Sequence, residues 1–97
     1  MLNQVILVGC LTENPVVNTT ATGKKVTKIT VAVKRAFKNA DGVYETDVVK
    51  CTLWNDMASN TAEYCTKGTM VGIKGRIQTA NHKMEVIAEK LTFLTNK

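Results

Sequence analysis

Turn signals cut this 97-residue chain into five long β-branched segments, with one helical stretch between the third and the fourth. Few folds accommodate that order. The first segment, residues 3–11, ends at the Asn14-Pro15 turn, and a turn at Thr22-Gly23-Lys24 opens the second, 25–38. Asn39-Ala40-Asp41-Gly42 supplies a short hairpin loop, and the third segment runs 43–54. The helix can be capped by Asn55 or Asp56 and places Met57, Thr61 and Tyr64 on one stripe, with Ala58, Ala62 and Cys65 beside it. Gly68 can end it in a left-handed cap. A fourth strand, 69–79, a tight turn at Asn81-His82-Lys83 and a fifth strand, 84–94, complete the chain. Three strands, a helix and two strands is the order of the all-β OB-fold, a five-stranded Greek-key barrel with one helix between strands 3 and 4. Residues 1–97 are therefore expected to form a single domain.

Alternation along a strand separates its two faces. In the third strand Val49, Cys51 and Leu53 form the inward set; Tyr44, Thr46, Val48, Lys50, Thr52 and Trp54 point outward. In the fourth, Val71, Ile73 and Ile77 point in, leaving Lys74, Arg76 and Gln78 outside. An outward Trp54 among Lys50, Lys74 and Arg76 is hard to explain as core packing. A base can stack on the indole while the cations hold phosphates. Phe37 shares parity with the core candidates Ile29, Val31 and Val33, but so does Arg35. The strand is therefore expected to leave the barrel as an arm with Phe37 exposed; burial of that ring is the alternative. Tyr44 faces Phe37 across the hairpin, as a second platform or merely a cross-strand partner. In the first strand, Leu2, Ile6 and Val8 take one face and Val5, Leu7 and Leu11 the other. The surplus apolar face needs a cover, from another copy of the chain or from the helix and loops.

Charge adds a partner. Between Glu13 and Asp41 lie Lys24, Lys25, Lys28, Lys34, Arg35 and Lys38 without one acid, and the net charge is +5. Such a run is either a solvated basic hairpin or a track for a polyanion, nucleic acid first. No apolar run of about 18 residues is present to span a membrane. Cys10, Cys51 and Cys65 are odd in number and widely spaced, which suits free thiols in a reducing cytoplasm rather than disulfides or zinc. His82 reads as a solvated turn residue or a phosphate contact. Asp41, Glu45 and Asp47 read as balance for neighbouring lysines rather than a metal site. No nucleophile–base pair, phosphate-cradling loop or metal spacing appears, so neither an enzyme nor a cofactor is expected.

The residues also match a family. Met1-Leu2-Asn3-Gln4-Val5-Ile6-Leu7-Val8-Gly9, Leu11-Thr12-Glu13-Asn14-Pro15, Ala32-Val33-Lys34-Arg35-Ala36-Phe37-Lys38-Asn39, Trp54 and Gly72-Ile73-Lys74-Gly75-Arg76-Ile77-Gln78-Thr79 closely resemble bacterial single-stranded DNA-binding proteins (SSB). The resemblance runs through Glu89-Lys90-Leu91-Thr92-Phe93-Leu94, in order along nearly the whole chain. It implies an OB-fold homotetramer, paired through the first strand, that wraps single-stranded DNA without sequence preference in bacterial replication, recombination or repair. Its location would be cytoplasmic, at the nucleoid, or the source a plasmid or phage. By position Phe37 and Trp54 match stacking residues of the family, and Lys34, Arg35, Lys38, Lys74 and Arg76 match backbone-tracking ones; Lys50 joins them on outward parity alone. Three departures stand out. Val48 replaces an aromatic, the hairpin after Thr79 is short, and the chain stops at Lys97 without the flexible, acidic-tipped tail that recruits replication enzymes. That ending reads as either a compact tail-less member or a truncated one. Its shortness also admits a second reading, a primosome accessory protein of the PriB type acting mainly through protein partners.

Overall fold

The computed structural model describes residues 1–94. Its elements are β1 (Val5–Leu11), β2 (Asn18–Thr19), β3 (Lys25–Lys38), β4 (Tyr44–Trp54), α1 (Asn55–Tyr64), β5 (Met70–Ala80) and β6 (Lys83–Phe93). The five long strands are those expected. The two-residue β2 is an addition, pairing Asn18 with Val26 and Thr19 with Lys25. Sheet order runs β1-β5-β6-β4-β3, and β1 also pairs with β3, which closes a five-stranded barrel. All pairings are antiparallel except β4–β6, where Cys51 and Thr52 lie beside Val86 and Ile87.

Closure depends on β1 changing partner. Val5 to Cys10 pair with β5, whereas Cys10 and Leu11 pair with Ala32 and Val31 of β3. Gly9 sits at that crossing, where an added Cβ would lie 2.3 Å from the Ala32 carbonyl oxygen. Gly75 plays the same part opposite the β6 bulge at Glu89, where an added Cβ would lie 2.2 Å from the Ile87 oxygen. Glycine at such corners lets two backbones approach without a side chain between them.

Inside, Leu11, Ile29, Val31, Cys51, Leu53, Val71, Ile73 and Val86 form the core. The helix closes one end, burying Ala58 and Thr61, and the Thr27 hydroxyl donates to the Ala58 carbonyl at 3.5 Å. Both helix ends differ from expectation. Trp54 occupies the N-cap position and makes no side-chain capping bond. Asn55 instead adopts a left-handed φ of 59°, which turns the chain from strand into helix. At the other end the helix stops at Tyr64 because Cys65, 3% exposed, extends back into the core. Gly68 is left-handed, but in the turn beyond the helix.

Two hairpins leave the barrel. β3–β4 continues past Val33 with no third strand beside it, and β5–β6 does so beyond Ile77, since β5 loses β1 past Gly75 and β4 pairs with β6 only at Val86 and Ile87. This explains Ile77: its parity predicts burial, yet it is 41% exposed because β1 no longer flanks β5 at that level. Among the described residues no helix is long and apolar enough to cross a membrane.

Candidate nucleic-acid interface

The outer face of the β3–β4 ribbon is set by its register. Val26 stands opposite Trp54, Lys28 opposite Thr52, Thr30 opposite Lys50, Ala32 opposite Val48 and Lys34 opposite Thr46. Alternation puts all ten on one side, since Ile29, Val31, Cys51 and Leu53 occupy the other. Trp54 is exposed, as its parity predicts, and so is Lys50. Lys28 belongs to the same wall, and its shared parity with Lys34 places it there beside the residues singled out from the sequence. Thr52 departs from the pattern. It points outward but is 3% exposed, because its hydroxyl donates to Glu85 reaching across from β6. A cleft of about 420 Å³ follows, between this wall and the β5–β6 turn, lined by Lys28, Thr30, Lys50, Asn81, Lys83 and Met84. His82 shares that turn and, like Asn81, adopts a left-handed φ.

Farther out the ribbon becomes the arm. Phe37 is 85% exposed at its edge, in the outward position expected of it. Tyr44 faces Lys38 rather than Phe37, owing to an irregularity in register between Lys34 and Lys38. Its ring carries two ammonium groups, Lys34 Nζ at 4.7 Å and Lys38 Nζ at 5.6 Å. Each is a cation–π contact that fixes a lysine over an aromatic face.

Arg35 is treated differently from its neighbours. Its Nε donates to Asp47 Oδ2 at 3.0 Å and its Nη2 to Asp47 Oδ1 at 2.9 Å, while Nη1 lies 3.6 Å from Glu45. The bidentate hydrogen bond and the added attraction of Asp47 and Glu45 raise the basicity of the guanidinium, and the Arg35 hydrogen bond holds the Asp47 carboxyl below its usual range. Asp47 and Glu45 thus balance an arginine rather than the lysines, while Asp41 pairs with neither among the described residues.

On β5, Arg76 is also engaged, with Nη1 3.3 Å from Glu89 and Nη2 donating to Gln78 at 3.5 Å. It shares one outward row with the ribbon: Lys28, Thr52, Ile87 and Arg76 are successive partners across four strands. Lys74 stands elsewhere. It lies opposite Ile6 on β1 and Lys90 on β6, and β6 separates β5 from β4, so Lys74 is not a sheet neighbour of Trp54. The structure therefore brings together Lys28, Lys34, Lys38, Lys50, Trp54 and Phe37 on one ribbon, with Arg76 two strands away. Rings for stacking and cations for phosphates are the chemistry this surface offers.

Comparison with known proteins agrees with that geometry. The model of the single-strand binding protein family matches residues 2–94. The chain is 46% identical over its whole length to single-stranded DNA-binding protein B of Bacillus subtilis, covering 94% of that protein. It is 39% identical, again over its whole length, to single-stranded DNA-binding protein 3 of Listeria innocua, of which it covers 66%. Among solved structures, a deletion mutant of the single-stranded DNA binding protein from Thermus aquaticus superposes with a TM-score of 0.79 at 25% identity. That match spans 97% of this chain and 51% of the other, so the chain corresponds to about half the length of that neighbour. None of these supports the primosome-accessory reading. With the barrel, the register and a family match covering nearly every residue in agreement, the chain belongs to the single-strand binding protein family.

Proposed function

We propose that this chain is a non-enzymatic, sequence-independent binder of single-stranded DNA, serving replication, recombination or repair in the bacterial cytoplasm. The observation that carries the reading is the β3–β4 ribbon, where exposed Trp54 and Phe37 bracket Lys28, Lys50, Lys34 and Lys38 on one continuous hairpin. Bases stack on the rings, and lysines release condensed counterions as they meet phosphates. Arg35 and Arg76 join the track from either side, and Lys74 extends it around the barrel. Support for sequence independence is chemical: every base has a π-face, and a lysine at a phosphate reads no base. The names of the relatives point the same way.

Protomers pair through β1 and build a tetramer. Ile6 and Val8 are 71% and 53% exposed on that strand, which leaves an apolar face uncovered within the protomer. Residues 1–97 act as one DNA-binding domain.

Titration with oligo-dT tests the reading. Trp54 fluorescence falls on binding, and with about five phosphates neutralised per protomer log affinity declines against log salt at a slope near −3.5. Unchanged emission at micromolar protein, or a slope near zero, defeats it.

A further inference from the structure

We propose that Asp47 and Glu45 compete internally for the guanidinium of Arg35, so that this residue joins a DNA strand only by exchanging one anion for another. The inference rests on the single-stranded DNA reading above. A carboxylate held by both Nε and Nη2 occupies the same planar fork that would grip a phosphate. Every ion pair among the described residues uses an arginine, Arg35 or Arg76, and no lysine there has a carboxylate within 4.0 Å. The arm thus carries two kinds of cation. Lys34 and Lys38 keep mobile counterions and release them when DNA arrives, whereas the counterion of Arg35 is tethered to the chain and cannot be released.

The pair is not needed to close the hairpin. Backbone pairing continues past it at Lys34–Thr46 and Lys38–Tyr44, and the loop is tied by the Asn39 and Val43 main chains. Once displaced, Asp47 and Glu45 face the phosphates as like charges, so the exchange weakens binding at this position and makes its contribution nearly independent of salt.

Polarisation of labelled oligo-dT across a salt series, on the full chain, tests this with a double-mutant cycle. Asp47→Asn should tighten binding about two- to five-fold and steepen the salt slope by about 0.7. When Arg35→Gln is added, the slope change should vanish and the gain should shrink to that of Asp41→Asn. Glu45→Gln should show the same coupling with a smaller gain. Asp41→Asn removes an equal charge from the same arm without touching Arg35, so its gain should be smaller and should survive Arg35→Gln. If the Asp47→Asn gain survives Arg35→Gln in full, it is a general charge effect and the competition is overturned. Weaker binding by Asp47→Asn at unchanged melting temperature also overturns it, since the acid would then be positioning Arg35 for DNA. Failure of the unaltered chain to bind oligo-dT would instead defeat the DNA-binding reading, and it would show before any variant is made.

Discussion

From Lys25 to Val33, β3 lies against β4 and, in turn, β2 and β1, and it buries Thr27, Ile29 and Val31. From Lys34 to Lys38 the same strand keeps only β4, and all five residues are exposed. One continuous ribbon therefore does two jobs. Its inner half is fixed by what it excludes from water; its outer half is a platform whose rings and charges face outward. The contrast teaches that the residues the core needs are confined to the inner half, so the exposed arm can be altered without disturbing the fold.

Three experiments test how sharp that division is. The largest effect belongs to the inner half: Leu53→Ala, at a fully buried position opposite Thr27, should lower unfolding free energy by about 2–5 kcal/mol in denaturant melts. A loss below about 1 kcal/mol would mean the inner half is not the core. Next comes Cys51, opposite Ile29, whose thiol is pushed up to about 11 by burial. Folding favours its neutral form, so this stabilisation is complete below the unfolded thiol's titration near pH 9 and is lost as pH rises through 11. A loss of about 2–3 kcal/mol over that window, absent in Cys51→Ala, is the expected result of alkaline melts on both proteins. Smallest in stability is the outer half. Phe37→Ala should change unfolding by less than about 0.5 kcal/mol while weakening oligo-dT binding by roughly 1–3 kcal/mol. If the melting curve moves and the affinity does not, the two halves have been assigned the wrong way round.

Much of this was legible in the sequence because its causes are local. The ends of β3 at Lys25 and Lys38 follow from the glycine and asparagine turns beside them, and the outward direction of Trp54 and Lys50 follows from counting by twos. What escaped depends on partners distant along the chain. Ile77 obeys its parity but lies where β1 has run out. Thr52 obeys it too, yet is covered by Glu85, 33 residues away. Asp47 takes Arg35 rather than Lys34 because alternation puts Lys34 and Thr46 on the opposite face, a parity that counting by charge alone passes over. Asn55 was read as a cap because its side chain suits one; the backbone uses it as a corner instead.

The seam of the barrel also bears on how the protein is made. Val5 pairs with Gly75 and Cys10 with Met70, so β1 waits for a strand that is synthesised only after β3, β4 and α1. A chain growing at about 5–20 residues per second holds β1 without that partner for several seconds. During that time Ile6 and Val8 on one face and Val5 and Leu7 on the other all lack cover. Ribbons such as β3–β4, whose partners are neighbours in sequence, can form as they emerge. Closure of the seam across Gly9 is consequently the late, non-local step in completing the barrel.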